Sequence, residues 1–285
     1  EEETEHFQPT DKLGHLELGK KHRVATLNVR GLIRGGKREQ IEIWAKEHDI
    51  DILLLQETHI NQTAMEKRGE YTLFLSGSSN GQDRTEAGVG ILIKNKLLNT
   101  LIEIIPIDDR LMTVTLRGKN MSYSFINTYM YTAENQENNE HRYMELEKEY
   151  LPRKKQGPTY VGGDFNARLH QALGIGENNV MGTHFFDKGN EQTHHMTDPI
   201  STNISHLVNF SIQNNLKIIN TLFEKPNDKL ATYQNPKAKL GMSKRRGTHE
   251  TLDYWLTENR WQNSCVDCEA DGGANINTDH YPLIL

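Results

Sequence analysis

The segment that decides the fold of this chain is Thr159-Tyr-Val-Gly-Gly-Asp-Phe-Asn-Ala-Arg168. Its apolar run predicts a buried β-strand, and the glycine pair predicts a turn directly after it. Asp164 and Asn166 follow, and because they are two residues apart at a strand's carboxyl end they point in one direction. Together they can hold a water molecule and a phosphate oxygen, although Asp and Asn also end strands without any chemical role. The other motifs decide between these two interpretations.

Length and net charge limit the classes of protein that this chain can be. It has 285 residues and a net charge of −6. We predict a single domain over residues 21–285, preceded by a flexible acidic arm over residues 1–20. No apolar run spans a membrane and no secretory leader is present, so we expect an intracellular domain without membrane contact. The negative charge argues against binding nucleic acid, but screening over about 8 Å makes a phosphate respond to local charges.

A β-α-β unit is predicted over residues 23–57. Residues 23–31 alternate apolar and polar side chains, which predicts a strand ending at Asn28. The face of the following helix is formed by Ile41, Trp44, Ala45 and His48. A buried strand over residues 50–55 then leads to Glu57. Because a crossover helix makes the two strands parallel, Asn28 and Glu57 are expected at the same edge of one sheet.

The middle of the chain predicts a series of strands and then a helix. The strands are expected at residues 89–93, 101–105, 111–116 and 123–128. Their short polar joints favour antiparallel pairing, and Tyr129 closes the series. A helix with Tyr143, Leu146 and Tyr150 on one face is predicted to end at Pro152.

A long insertion follows the segment at residues 159–168 and separates it from the C-terminal third of the chain. Residues 174–203 are rich in Gly, Asn, His and Asp and too long for an ordinary connection, which favours a functional or mobile segment. A helix over residues 207–212 and a strand over residues 216–220 are predicted to follow.

One basic segment, residues 232–247, interrupts the acidic chain. Its positive charges are Lys237, Lys239, Lys244, Arg245 and Arg246. A charge run is usually a solvated face. This one forms a hairpin-like excursion between Thr232 and Asp253, which makes contact with DNA phosphates almost equally favoured. Asp279-His280 then precedes a final apolar strand and brings two more polar groups to a strand end.

Two other groups of residues have the chemistry of metal ligands. Cys265-Val-Asp-Cys268 has the spacing of half a zinc site or of a redox pair, but no second CxxC is present, so two incidental thiols are favoured. His184, His194 and His195 lie in the insertion without a fixed spacing, and there a solvated loop is favoured over a metal site.

The polar residues expected at strand ends are of the types that phosphodiester hydrolysis needs. They are Asn28, Glu57, Tyr129, Asp164, Asn166, Asp253, Asp279 and His280. One carboxylate can bind a hard divalent ion such as Mg²⁺, which neutralises charge on the phosphoryl group. A second can position the attacking water, and a histidine braced by an aspartate can act on a phosphate oxygen.

The chain resembles the endonuclease/exonuclease/phosphatase (DNase-I-like) superfamily. The matching motifs, in the family's order, are LNVRG (27–31), LLQET (54–58), INTY (126–129), GDFNA (163–167), LDY (252–254) and TDH (278–280). Within it, NNLKIINTLF (214–223) and the basic segment resemble the apurinic-like endonuclease domain of non-LTR (LINE-type) retrotransposons, in particular the RTE-like group. The resemblance implies a four-layered α/β sandwich, with two packed mixed β-sheets flanked by helices and a site at one mouth.

The resemblance also implies a cofactor and the residues around it. Glu57 would bind Mg²⁺, for which Mn²⁺ could substitute. Asn28 and Asp279 would lie nearby in the metal's shell, and Asn28 would also belong to the catalytic set.

The remaining catalytic residues would act on the water and the phosphate. Asp164 would orient or deprotonate the nucleophilic water. Asn166 and Tyr129 would hold the phosphate, and Asp253 would orient His280.

The implied partner is double-stranded DNA, nicked to leave a 3′-hydroxyl that primes reverse transcription. Thr232 matches a position that contacts the backbone of the bound strand, beside the basic residues. The domain would belong to a larger polyprotein carrying a reverse transcriptase, made in the cytoplasm and acting in the nucleus.

Three departures and three alternatives accompany the resemblance. Thr278 replaces a serine, Tyr131 stands where many relatives have proline, and the insertion is longer than expected. A repair nuclease and a phosphatase of the same superfamily are alternatives, although the tryptophan of the inositol-phosphate signature is absent before Gly163. A domesticated binding module is the third alternative, and it predicts the loss of a catalytic group, whereas every motif here is intact.

Overall fold

The computed structural model describes residues 14–16, 20–78, 86–169, 177, 179–186, 199–235 and 249–285. The helices are α1 (Lys37–Glu47), α2 (Gln136–Lys154) and α3 (Pro199–Asn214). The strands are β1 (Val24–Asn28), β2 (Ile52–Gln56), β3 (Ala64–Arg68), β4 (Tyr71–Ser76), β5 (Val89–Lys94), β6 (Leu101–Pro106), β7 (Leu111–Arg117), β8 (Ser122–Tyr129), β9 (Thr159–Asp164), β10 (Leu216–Ile218), β11 (Tyr233–Gln234), β12 (His249–Glu250), β13 (Asp253–Glu258), β14 (Glu269–Ala270) and β15 (Leu283–Ile284). No helix among the described residues is long and apolar enough to cross a membrane.

Two mixed sheets pack face to face between helices. The seven-stranded sheet has the order β14-β15-β1-β2-β5-β4-β3, and the six-stranded sheet has the order β10-β13-β9-β8-β7-β6. In β2, Ile52 and Leu54 enter the core between the sheets, whereas Leu53 and Leu55 pack on the α1 side, because successive side chains alternate between faces. A third apolar cluster lies between the six-stranded sheet and α2 and α3. The predicted four-layered α/β sandwich is confirmed.

The strand pairing brings the site residues to one end of the sandwich, which we call the site mouth. β1 and β2 are parallel, with Asn28 opposite Gln56. β8 and β9 are parallel, with Tyr129 opposite Asp164, and antiparallel β13 places Asp253 on the other side of Asp164. Both parallel pairs therefore deliver their last residues to the same mouth.

The glycine pair of the central segment was predicted to be a turn, and this prediction is wrong. Gly162 and Gly163 lie inside β9, where both pair with β13. A Cβ atom on Gly163 would lie 1.8 Å from the Thr128 carbonyl oxygen, and one on Gly162 would lie 2.6 Å from the Trp255 ring. The two glycines therefore allow β8 and the Trp255 ring of β13 to lie close to β9. The strand ends at Asp164 and not at the glycines.

Two other predictions about the elements need correction. The strand at residues 89–93 was predicted to pair with those that follow it, but β5 pairs with β2 and β4 in the other sheet, and a 3-10 helix over Asn95–Thr100 carries the chain across. The helix predicted to end at Pro152 continues to Lys154. One missing amide in the last turn leaves the earlier turns intact, and Arg153 anchors that turn by donating to Thr113 Oγ1 at 2.8 Å.

Candidate active site

Asn28 connects the two sheets at the site mouth. Its Nδ2 donates to Glu57 Oε1 at 2.8 Å and to Asp164 Oδ2 at 3.0 Å, and its Oδ1 accepts the Arg30 amide at 3.1 Å. Tyr129 Oη also donates to Glu57 Oε1, at 2.7 Å. The Glu57 carboxylate is therefore held by one residue from each sheet.

Asp253, His280 and Asp164 form a buried row beside this contact. His280 Nδ1 lies 2.9 Å from Asp253 Oδ2, and His280 Nε2 lies 3.9 Å from Asp164 Oδ2. All three residues are 3% exposed or less. The imidazole thus lies between two carboxylates, with Asp253 on the nitrogen that faces away from Asp164.

Burial and neighbouring charges shift the pKa of both Asp164 and His280. Burial, reinforced by the Asp253 charge, raises the pKa of Asp164 to about 7, and the opposite charge of His280 only partly counters this. Burial alone would lower the pKa of His280, but the charge and hydrogen bond of Asp253 raise it to about 9. Near neutral pH the imidazole is therefore charged, whereas Asp164 can exchange a proton.

The loop after β9 fixes Asn166. This residue has φ 48°, and its amide N–H donates to Asp164 Oδ1 at 2.9 Å, so the turn also orients that carboxylate. Its Nδ2 donates to the Met130 carbonyl at 2.9 Å. A carboxamide nitrogen carries two hydrogens, and the described residues use one of them, so the second can bind a substrate oxygen.

Asp279 has a partner that the sequence did not predict. Arg30 Nε lies 2.7 Å from Asp279 Oδ1. Burial would lower the pKa of Arg30, but the charges of Glu57 and Asp279 raise it. Arg30 and Glu57 both have positive φ, 46° and 50°. The position of Arg30 in the LNVRG motif, two residues after the strand that ends at Asn28, was the sequence signal that it belongs to the site.

Thr232 was predicted to contact bound DNA, and the structure corrects this prediction. Its side chain is completely buried. Its hydroxyl accepts the amide N–H groups of Leu252, at 2.9 Å, and Asp253, at 3.1 Å. Thr232 therefore holds the start of β13, and with it the Asp253 carboxylate, instead of facing a ligand.

A buried polar network behind the site mouth also escaped the sequence-based prediction. Gln56 Nε2 donates to Asn127 Oδ1 at 2.7 Å and to Thr26 Oγ1 at 2.9 Å. Asn127 Nδ2 donates to the carbonyls of Leu55 and Gly90. These bonds join β8 to β2 and β5 directly behind Glu57 and Tyr129. Polar residues inside otherwise apolar strands were the signal.

The other predicted residues comprise the basic segment, the histidines of the insertion and the two cysteines. Lys237, Lys239, Lys244, Arg245 and Arg246 fall outside the described residues, as do His194 and His195. Of the two cysteines, Cys268 is buried and Cys265 half-buried. Burial raises the pKa of both thiols, that of Cys265 to about 11, which disfavours the thiolate form that binds metals.

A divalent cation fits the Glu57 end of the site better than the His280 end. Among the described residues, Asp164, Asp253 and His280 place possible ligand atoms within 4.8 Å of one another. However, the raised pKa of His280 favours a protonated ring without a lone pair for a metal.

The Glu57 carboxylate, in contrast to the His280 ring, favours its deprotonated form, which can bind a metal. Burial would raise its pKa, but hydrogen bonds from Asn28 and Tyr129 lower it, so the group stays charged. Its Oε2 lies 3.7 Å from His59 Nε2, beyond hydrogen-bond distance. The Glu57 side chain is 14% exposed. A charged oxygen donor that ligands can reach is the type that Mg²⁺ prefers.

Comparisons with known proteins agree with this architecture. The sequence matches the Endonuclease/Exonuclease/phosphatase family over residues 25–280. It is 24% identical to craniofacial development protein 2 from Bos taurus over 270 residues, which are 92% of this chain and 40% of that protein. This chain therefore spans about two fifths of the length of that relative.

Two solved structures share the fold. The catalytic domain of Xenopus laevis APE2 has a TM-score of 0.67 at 16% identity, covering 92% of this chain and 90% of that one. The endonuclease domain of TRAS1, a telomere-specific non-LTR retrotransposon, has a TM-score of 0.58 at 14% identity, covering 92% and 96%. Because the family match runs from β1 to His280 and includes every residue of the site described above, the chain belongs to the endonuclease/exonuclease/phosphatase family.

Proposed function

We propose that this chain is a Mg²⁺-dependent DNA endonuclease that hydrolyses one phosphodiester bond of a double-stranded target. The observation that carries the proposal is the continuous set of contacts from Glu57 through Asn28 to Asp164, with His280 beside it. This set brings together a carboxylate for the cation, a base and a charged imidazole, which are the groups that hydrolysis of a phosphodiester requires.

Each residue has a separate step in this proposal. Asp164, with a pKa of about 7, accepts a proton from water as that water attacks phosphorus. His280, kept charged by Asp253, donates a hydrogen bond to a non-bridging phosphate oxygen. Glu57 would hold the divalent cation, which when bound would neutralise charge on the phosphoryl group. The bond from phosphorus to the 3′-oxygen breaks, and that oxygen takes a proton from solvent water, which leaves a 3′-hydroxyl and a 5′-phosphate.

The biological setting that we propose is target nicking in the nucleus by a non-LTR retrotransposon polyprotein with a reverse transcriptase. The shared motifs and the structural likeness to the TRAS1 endonuclease domain support this setting. The 3′-hydroxyl of the nick would then prime DNA synthesis on the element's RNA.

A cellular role is the second candidate. Similarity to craniofacial development protein 2 over 92% of the chain favours a domesticated domain, and the likeness to APE2 favours action at abasic sites. A domesticated binding module would bind DNA without cleaving it. The catalytic residues present in the site favour cleavage over that outcome.

One assay separates these functions. Supercoiled plasmid, intact or depurinated, is incubated with the protein in Mg²⁺, in Mn²⁺ or in chelator, with Asp164→Asn as the inactive control. The proposal is supported if intact plasmid is nicked in Mg²⁺ or in Mn²⁺ but not in chelator, and if a polymerase can extend the ends of the nick. Cleavage confined to depurinated plasmid supports a repair nuclease. Binding without cleavage by the parent protein contradicts the proposed activity.

The basic segment is tested by charge removal. Replacing Lys244, Arg245 and Arg246 with glutamine should flatten the plot of log affinity against log salt by about 0.9 for each phosphate that the variant no longer neutralises. An unchanged slope would identify the segment as a solvated charge run.

A further inference from the structure

Two buried asparagines on the covering helices contact the loops that follow β8 and β9. Asn139 belongs to the first turn of α2 and Asn203 to α3, and both are 1% exposed. Asn203 Nδ2 donates to the Asn166 carbonyl at 2.9 Å and to the Tyr131 carbonyl at 3.1 Å. A residue of a covering helix therefore binds the backbone of the residue that we expect to hold the phosphate.

The side-chain amides of these two asparagines form a closed set of hydrogen bonds. Asn139 Nδ2 donates to the Tyr131 carbonyl at 2.8 Å and to Asn203 Oδ1 at 2.9 Å, and Asn139 Oδ1 accepts the Tyr131 amide at 2.7 Å. All four side-chain N–H hydrogens and both side-chain oxygens are therefore used. A carboxylate at either position would have no hydrogen to donate, and an apolar side chain would leave the loop carbonyls with fewer donors. The set therefore requires an amide at both positions.

Asn166 is held on both sides of its Cα atom. Its amide N–H donates to Asp164 Oδ1 at 2.9 Å, which fixes the preceding peptide plane, and its carbonyl accepts Asn203 Nδ2, which fixes the following one. Asn166 has φ 48°, a conformation that is costly for a residue with a Cβ atom and persists only where the surroundings enforce it. Loss of the Asn203 bond would remove one of these two constraints. Both the direction of the Asn166 side chain and its backbone bond to Asp164 depend on them.

We propose that Asn203, held by Asn139, is a positioning residue for phosphodiester hydrolysis. It keeps Asn166 in the conformation that directs the second side-chain hydrogen to the phosphate and the backbone N–H to Asp164. Asn203 itself touches neither the phosphate nor Asp164 and acts through Asn166. The inference rests on the proposed function, because Asn166 and Asp164 act on the phosphate and the water only in that reaction. A misplacement of about 1 Å can lower a rate about a hundredfold, so loss of this constraint should affect kcat more than binding.

Asn214, the last residue of α3, provides a matched control. It is also a buried asparagine, 3% exposed, and its Nδ2 donates to Glu147 Oε1 of α2 at 2.9 Å and to the Phe210 carbonyl at 3.2 Å. Asn203→Ala and Asn214→Ala therefore both remove a buried amide that joins α3 to α2, but only the first removes the bond to Asn166. For both variants we would measure the melting temperature, the affinity for a short DNA duplex in chelator, and kcat and KM for plasmid nicking in Mg²⁺.

At a temperature at which both variants are folded, Asn203→Ala should lower kcat at least about tenfold and leave KM and DNA affinity within about twofold of the parent values. Asn214→Ala should keep the parental kcat even if it lowers the melting temperature by as much. An equal loss of kcat in both variants overturns the proposal, because loosening of α3 alone would explain it. A parental kcat for Asn203→Ala also overturns it, and so does a loss of rate that weaker DNA binding accounts for in full.

Asn139→Ser covers the case in which Asn203→Ala does not fold. The shorter side chain releases Asn203 Oδ1 and leaves the bond from Asn203 to Asn166 without its support. This variant should lower kcat several-fold at parental DNA affinity, and a parental kcat contradicts the proposal. A parent protein that does not nick plasmid in Mg²⁺ overturns the proposed function and this inference with it, whereas a failure confined to the variants overturns the inference alone.

Discussion

Removing the Asp253 carboxylate should lower the pKa of His280. The two side chains are completely or almost completely buried and 2.9 Å apart, and Asp253 is the main reason that the pKa of His280 is about 9 instead of lower than usual. A rise from 6.5 to about 9 means that the site favours the charged imidazole by roughly 3 kcal/mol. In Asp253→Asn the burial of the ring is opposed mainly by the charge of Asp164, and we expect the pKa of His280 to return to its ordinary value or below.

The same change should slow catalysis as much as removing the imidazole. If Asp253 acts only through His280, then Asp253→Asn, His280→Ala and the double variant should all lower kcat by a similar factor, at least about a hundredfold. If the two residues acted independently, their effects on kcat would multiply, and the double variant would lower kcat about ten-thousandfold. The double-mutant cycle therefore separates the two cases by about a factor of a hundred.

The assay combines two measurements. An NMR pH titration of the buried imidazole gives the pKa of His280 in the metal-free parent and in Asp253→Asn. Single-turnover nicking of plasmid gives the rates, with Asp228→Asn, an exposed substitution, as the control. Rate reductions that multiply, or a pKa that stays near 9 without the carboxylate, would refute the proposed pairing.

Three further predictions follow from other contacts. Glu57→Gln keeps an oxygen acceptor for Asn28 and Tyr129, so it should preserve the melting temperature while lowering Mg²⁺-dependent nicking at least about a hundredfold. Glu47→Gln, at an exposed position, is the control. If Glu57→Gln nicks plasmid about as fast as the parent protein, the proposed role of Glu57 is wrong. Thr232→Val should lower the free energy of unfolding by roughly 1–3 kcal/mol, because two buried amides lose their acceptor. Thr232→Ser should retain most of that stability in urea unfolding, and equal destabilisation of both variants would point to packing alone. His280 has a raised pKa in the fold, so its stabilising contribution should be complete below about pH 6.5 and should disappear as pH rises through about 9. Urea unfolding of the metal-free parent and His280→Gln across this range measures the contribution, and a difference that is independent of pH would show that the charged form is not favoured.

Local patterns in the sequence predicted individual strands and helices, whereas the four-layered arrangement was implied by the family resemblance. The apolar run of β2 and the helical spacing of Ile41, Trp44 and Ala45 follow from burial, which acts on each element separately. The pairing of β5 was not predictable in this way, because a strand that is buried on both faces has the same pattern in either sheet. The role of the glycine pair was likewise hidden, because it depends on the Thr128 carbonyl and the Trp255 ring, which are distant in sequence.

The site residues were predictable where a strand end delivers them and unpredictable where a side-chain contact defines them. Asn28 and Glu57 could be placed at one edge from β-α-β connectivity alone. Thr232 was misassigned and the pairing of Arg30 with Asp279 was missed, because the local sequence does not identify the partner of a side chain. Their roles follow from contacts between residues that are distant in sequence.

Residues with an unfavourable backbone conformation at the site mouth lie in front of a buried polar network. Arg30, Glu57 and Asn166 all have positive φ, which is costly for residues with a Cβ atom and persists only where the surroundings fix it. Apolar packing alone tolerates small slides between sheets, whereas directional hydrogen bonds do not. The bonds from Gln56 and Asn127 set the register of β8 against β2 and β5 one residue behind Glu57. Because Tyr129 and Asn28 hold Glu57 from opposite sheets, any slide would separate the Glu57 carboxylate from Asp164. The buried amides thus keep the two halves of the site at one fixed distance.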